Sequence, residues 1–257
     1  MTSSEAVKPK KPKKPKFNAS LEFPHVPPFS EIFFERIPVL HGFQLAIANY
    51  LRNERQKKKK NPWGDFFWGL GIRRLSRFNA VECGVFTGSS LIACSKLAHE
   101  SGIPFKMLGL DTFSGLPPLS EEDKQHAPAD AIYRNQTLFT ETSLSGVQKL
   151  VDEAGLSTHV ELRQGLFSQT LPTLNEERYH YVNIDCDLFE PHIECLEYFY
   201  SRMVRGGVIF FDDYNSINYP MAGKAIDKFF ADKPEKLAQI RYGDDGANRT
   251  KAYVVKY

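Results

Sequence analysis

The sequence has no apolar run approaching the roughly 18 to 20 residues that span a bilayer as a helix. Its most apolar stretches, VIFF and MLGL, are each ended within a few residues by aspartate. No transmembrane segment is therefore expected. Cysteine is scarce as well. The four residues, at 83, 94, 186 and 195, show no paired metal-ligand spacing. Lysine, not an apolar stretch, fills the N-terminal region, so a cleaved secretory signal is not expected and the thiols are read as reduced and cytoplasmic. Cys186, between two aspartates, is read as a small side chain at a strand end and not as a nucleophile. The Gly-x-Gly-x-x-Gly dinucleotide fingerprint is also missing, which counts against a nicotinamide-dependent oxidoreductase.

What is present is enough for a full core. A chain of 257 residues with 42% hydrophobic and 13% aromatic content fits one large domain with a tail. Residues 1–16 carry six lysines against one glutamate, a formal +5, so the overall +2 leaves the remaining body at −3. Such a segment cannot bury enough apolar surface to order itself, and is expected to be a flexible tail with at most weak contacts to anionic surfaces. Residues 17–78 are read as an N-terminal helical extension, because apolar residues from Phe29 to Leu51 recur at helix-like spacing (Ile32, Phe33, Ile37, Leu40, Phe43, Leu45, Ile47, Leu51). Lys57 to Lys60 read as a solvated connection. The aromatic stretch Trp63, Phe66, Phe67, Trp68 suits either cover for a sheet or the wall of a substrate pocket.

Residues 79–257 are expected to form the main domain. Apolar strand patterns at 80–85, 107–111, 160–163, 181–185 and 208–212 alternate with amphipathic helical patterns at 89–100, 143–154, 191–203 and 221–231. Two further strands are expected at 237–242 and 251–256. This alternation predicts an α/β fold, a doubly wound, mostly parallel seven-stranded sheet of Rossmann-like type. Ligands of such sheets bind outside the carboxyl ends of the strands, where strand order reverses. In this chain the unusual residues collect at those ends.

Gly84 and Gly88 sit where the first strand turns into a helix. A missing Cβ there lets a ligand approach the backbone, and the helix N-terminus supplies free N–H groups. Asp111 closes the next strand, where an acid can accept hydrogen bonds from ribose hydroxyls and would exclude a 2′-phosphate. At these residues the sequence resembles the class I S-adenosylmethionine-dependent methyltransferases. The resemblance implies S-adenosylmethionine as cofactor, with Glu82, Gly84, Phe86, Gly88 and Ser90 around its methionine part and Asp111 and Thr112 at the ribose. It also places Phe167 and Ser168, in the run Gly165 to Pro172, near the adenine, and counts Asp185 among the cofactor contacts.

In the methyltransferase strand order the fourth and fifth strands are neighbours, so Asp185 and Asp187 would lie beside Asp212 and Asp213. Like charges that close need raised pKa values, basic partners or a cation. No Lys or Arg occurs in 181–200. Oxygen-only ligands select a hard ion, Mg²⁺ first, with Mn²⁺ or Ca²⁺ as alternatives. In the bland alternative each acid separately caps a helix or turn. Val81-Glu-Cys-Gly-Val85, Asp111-Thr-Phe-x-Gly-Leu-Pro117, Asp185-x-Asp-Leu-Phe-Glu190 and Gly206-Gly-Val-x-x-x-Asp-Asp-Tyr214, in that order, resemble the macrocin O-methyltransferase family of sugar O-methyltransferases. The resemblance covers about Ala80 to Phe230. It implies Mg²⁺ held by Asp185, Asp212 and Asp213, with Asp187 as the catalytic base. Leu188 stands where catechol-type relatives would place a catalytic lysine.

The expected activity is Mg²⁺-dependent O-methylation of a hydroxyl on a sugar, a glycosylated small molecule or a glycan. The rivals are a catechol-type methyltransferase, a nicotinamide-dependent oxidoreductase and a non-enzymatic module binding anionic surfaces. The long polar segment from Pro117 to Thr140 suits a lid, with His126, Tyr133 and Arg134 as candidates to meet the acceptor. No nucleic acid partner is expected, and self-association into a homo-oligomer is left open.

Overall fold

The computed structural model describes residues 37–59, 75–128, 138–175, 178–241 and 250–257. The Lys-rich tail, Lys60, the aromatic stretch 63–68, Tyr133 and Arg134 lie outside the described residues.

In chain order the elements are α1 (Ile37–Lys59), β1 (Phe78–Cys83), α2 (Ser89–Glu100), β2 (Phe105–Asp111), α3 (Glu121–His126), α4 (Leu144–Glu153), β3 (Val160–Gln164), α5 (Phe167–Thr170), β4 (Tyr179–Ile184), α6 (Phe189–Tyr200), β5 (Met203–Phe211), α7 (Pro220–Phe230), β6 (Ala238–Arg241) and β7 (Thr250–Val255). The seven strands form one sheet in the order β3-β2-β1-β4-β5-β7-β6. The first five pair in parallel, and β7 inserts antiparallel between β5 and β6. This is the doubly wound architecture that the alternating patterns predict. β5 starts at Met203, earlier than expected, because its glycines are held on both sides. Gly206 N–H donates to the Lys256 carbonyl at 2.7 Å, and the Gly206 carbonyl accepts from Asn49 Nδ2 at 2.9 Å.

Each face of the sheet carries its own core. One face packs Leu91, Cys94 and Ala98 of α2, Val147 and Val151 of α4, and α1 against Phe78, Ala80, Tyr181 and Phe210. The other packs Cys195, Leu196 and Phe199 of α6 and Ile226 and Phe230 of α7 against Val81, Val182 and Ile209. α1 is thus part of the main core. Its buried residues Val39, Phe43, Ala46, Ile47 and Tyr50 follow helical spacing, and the Phe43 ring meets Phe78 and Tyr181 edge-on at 5.5 and 4.9 Å. Burying each such ring contributes about 1.5 to 3 kcal/mol.

Lys57 to Lys59, expected as a solvated connection, are instead the last turn of α1. Lysine is a good helix former and suits a helix C-terminus. Lys57 Nζ donates to Glu54 at 2.7 Å, and Glu54 in turn accepts from Ser76 Oγ at 2.8 Å, tying the helix end to the approach to β1.

Candidate active site

Strand order reverses between β1 and β4, and the two chain turns that leave these strands touch. Asp185 N–H donates to the Cys83 carbonyl at 2.8 Å. Gly84 has φ of +90°, and a Cβ built on it would lie 1.7 Å from the Asp185 carbonyl oxygen. The glycine is therefore required by the neighbouring strand before any ligand is considered, a stricter demand than the room for cofactor that the sequence suggests. Gly88 has φ of +80° and a Cβ there would press on Val147 at 2.7 Å; it is the N-cap of α2.

Asp111 binds this turn from β2. One carboxylate oxygen accepts from Val85 N at 2.6 Å and Phe86 N at 2.9 Å, and the other from Phe113 N at 2.6 Å. Thr112 Oγ1 lies 3.4 Å from that second oxygen and donates to the Gly115 carbonyl at 2.5 Å, and Asp111 and Thr112 both line the cavity described below. Glu82 sits deeper. It is 2% exposed and accepts from Ser90 Oγ at 2.5 Å and Asn183 Nδ2 at 2.9 Å. It fixes Ser90 from behind and does not line the cavity.

The acids follow β4 and β5. One oxygen from each of Asp185, Asp212 and Asp213 lies within 4.8 Å of the others. Asp187 stands beside them in a strained turn: its φ is +61°, Leu188 N–H closes back on the Cys186 carbonyl at 2.6 Å, and Asp187 N–H donates to Asp213 Oδ2 at 3.0 Å. Three-residue turns with positive φ are rare and costly, and such strain concentrates at functional sites. Burial, then Asp212 and Asp213, holds the Asp185 carboxyl well above the ordinary range. Burial, then Asp213 and Asp212, does the same to Asp187. Asp213 is raised by burial, against the pull of Lys251 and of the Asp187 N–H.

Lys251 is the basic partner that the sequence reading missed. Its Nζ forms an ion pair with Asp212 Oδ2, and the two side chains are only 13% and 19% exposed. Burial works against the lysine charge, but Asp212 and Asp185 outweigh it and hold the ammonium protonated above its usual range. The signal was in the strand pairing. β7 runs antiparallel to β5 with Phe211 opposite Ala252, which sets Lys251 opposite Asp212 at the same sheet edge as the acids.

These groups share a cavity of about 610 Å³, within the range of small-molecule sites. Of the expected site residues, Gly84, Phe86, Ser90, Asp111, Thr112, Phe167, Ser168, Asp185, Asp187, Asp212 and Asp213 line it; Glu82 and Gly88 do not. Val39 of α1 reaches it too. His126 faces the Phe189 ring at 6.2 Å and is not among the lining residues. Part of the polar segment after β2 is anchored: Ser120 and Asp123 form a capping box on α3, and Asp123, 1% exposed, accepts from Phe189 N at 2.5 Å.

Residues 77–240, more than half of the chain, match the family described as macrocin-O-methyltransferase (TylF). The chain belongs to that family. A curated relative, the mycinamicin III 3''-O-methyltransferase of Micromonospora griseorubida, is 28% identical over 142 residues, covering 53% of this chain and 55% of that protein. The chain thus spans about half the length of the relative it matches. Among solved structures it resembles the O-methyltransferase NovP, with TM-score 0.60 and 23% identity over 81% of this chain and 79% of that one. The calicheamicin methyltransferase CalS11 is similar at TM-score 0.55 and 17% identity, over 81% of this chain and 91% of that one. Both likenesses show the methyltransferase fold.

As a macrocin-O-methyltransferase family member the chain has its four motifs at the four strand ends that meet in the cavity. Leu188 is fully buried in a small cluster with Phe189, Tyr219 and Met221. The cation at the acidic edge comes from β7 instead. Cys186 is buried, with its thiol pushed up to about 12 by burial, as suits a packing residue. All four cysteines are free, and no helix among the described residues is long and apolar enough to cross a membrane.

Proposed function

We propose that this protein transfers the methyl group of S-adenosylmethionine to a hydroxyl of a sugar or glycosylated small molecule, with Mg²⁺ at Asp185, Asp212 and Asp213. The observation that carries the reading is the convergence of three carboxylates, one buried and two half-buried, within 4.8 Å on the cavity that also holds the glycine turn and Asp111. The donor set is all oxygen, which fits a hard divalent ion. Bound there, the ion would lower the pKa of neighbouring hydroxyls and favour the developing alkoxide. The cofactor supplies an electrophilic methyl on a sulfonium.

The chain's own residues do the remaining work. The turn from Gly84 to Phe86 and Ser90 would receive the methionine part, Asp111 and Thr112 the ribose, and Phe167 and Ser168 the adenine. Asp187, beside the acidic triad and on the same cavity, is the base that takes the acceptor proton, a role that needs a carboxylate within reach of the hydroxyl. Val39 brings α1 to the cavity wall, so the segment before β1 helps shape the acceptor pocket. Family membership supports sugar methylation over the nicotinamide, catechol-type and surface-binding alternatives. We place the reaction in the cytoplasm, where the free thiols remain reduced.

The test is direct. The full chain is incubated with S-adenosylmethionine, Mg²⁺ and a panel of neutral glycosides, and methylated product and S-adenosylhomocysteine are read by mass spectrometry. Product that disappears in chelator is expected. Absence of product with every glycoside, together with no calorimetric binding of S-adenosylhomocysteine, would end the methyltransferase reading.

A further inference from the structure

Lys251 takes no part in the scheme above, yet it occupies the place where its charge matters most. Its ammonium is paired with Asp212 in a largely desolvated setting, beside three carboxylates whose oxygens lie within 4.8 Å of one another. Opposite charges this close bias each other strongly. β7 aims it there by register, one residue past the Phe211 and Ala252 pair.

We infer that Lys251 is a positioning residue that stands in for part of the cation charge when the acidic triad holds no metal, and that a divalent ion must compete with it for Asp212. This rests on the metal reading above. The carboxylate of Asp212 cannot give its full charge to an ammonium and to a hard cation at once. The lysine therefore keeps the triad assembled without metal and, for the same reason, weakens metal binding. It sets the affinity of the site to a level below what three free carboxylates would reach.

The sign of this effect separates it from a merely structural role. Removing a residue that only supports the ligands should weaken metal binding, whereas removing a competitor should strengthen it. Chelator-treated full-length protein is titrated with Mn²⁺ and with Mg²⁺ by calorimetry, and melted with and without each ion, as wild type, Lys251→Met and Lys251→Arg. Lys251→Met should bind the ion roughly 10-fold more tightly or better, the usual reach of one nearby charge. It should also melt lower than wild type without metal and gain more on metal addition. Lys251→Arg, which keeps the charge, should titrate like wild type.

Wild-type binding with equal or weaker binding by Lys251→Met overturns the assignment while leaving the metal reading in place. Tight binding by Lys251→Arg, equal to that of Lys251→Met, overturns it as well, since charge would then not matter. Binding by neither wild type nor Lys251→Met removes the metal reading and this inference together. If Lys251→Met folds only when Mn²⁺ is present throughout purification, that dependence supports the same conclusion.

Discussion

The two ends of the cavity use the same residue type in opposite ways. At the cofactor end Asp111 meets three backbone N–H groups within 2.9 Å. It is compensated by fixed dipoles and needs no ion. At the other end Asp185, Asp212 and Asp213 face one another within 4.8 Å, and any two full charges at that distance repel by about 3 kcal/mol at an effective dielectric near 20. Lys251 answers one of them. An aspartate satisfied by backbone is a clamp, while a group of aspartates that shares one ammonium keeps repulsion between its members, which the proposed cation would relieve.

Three substitutions should sharpen this contrast, beginning with the largest effect. Asp187→Asn keeps a side chain that tolerates positive φ and removes the proposed base. Turnover should fall on the order of 10²- to 10⁴-fold, with cofactor and Mg²⁺ binding retained and no recovery in excess metal. Recovery by metal would move Asp187 from base to ligand. Asp212→Asn should raise the Mg²⁺ needed for half-maximal rate by roughly 10- to 100-fold, the usual scale for damaged metal sites, with part of the rate restored at high Mg²⁺. Full activity of the wild type in chelator would remove the metal from the reaction. Asp111→Ala acts at the other end. Cofactor affinity should drop by about 1 to 3 kcal/mol with the Mg²⁺ requirement unchanged, as read by calorimetry with S-adenosylhomocysteine. A shift in metal demand instead would show that the two ends are not independent.

The sequence disclosed what period and strand ends can disclose. The helix from Ser89 to Glu100 and the parallel strands lie close to where their apolar patterns put them, because periodicity reports which face is buried. The acids stood at strand ends, and the order that makes β4 and β5 neighbours entered through the resemblance to methyltransferases. Long-range partners stayed hidden. Glu82 is held by Asn183, across on β4, a partner that no local pattern carries. Lys251 lies far along the chain and reaches Asp212 only because β7 inverts direction. The demand on Gly84 comes from the Asp185 carbonyl, which no local pattern carries. Pairings between distant segments are made by the sheet, and single-strand periodicity is silent about them.

The smallest expected effect is on stability, and it follows from the acidic end alone. Burial and neighbouring carboxylates raise Asp185 and Asp187 above the ordinary value of 3.8, and burial raises Asp213. Such a group binds its proton more tightly folded than unfolded. Its stabilising contribution is complete below the unfolded pKa and is lost as pH rises through the folded one. Buried histidines act the other way. His41 is lowered, and His180 and His192 are held down to about 4, all by burial. They add stability as pH climbs toward their ordinary 6.5 and contribute no further slope beyond it. Above pH 6.5 the acids favour a decline in stability with rising pH, joined toward pH 9 by the thiols of Cys83, Cys186 and Cys195, which burial also raises, so chelator-treated protein should lose stability across this range. Asp185→Asn should flatten that decline, and saturating Mg²⁺ should flatten it in the wild type, since the cation then neutralises the ionised triad. Asp111→Ala should leave the slope alone. Thermal melts across this range, with and without Mg²⁺, check all of it. A metal-free wild type whose stability is level or rising above pH 6.5 would mean that the triad ionises without penalty, and the contrast between the two ends of the cavity would collapse.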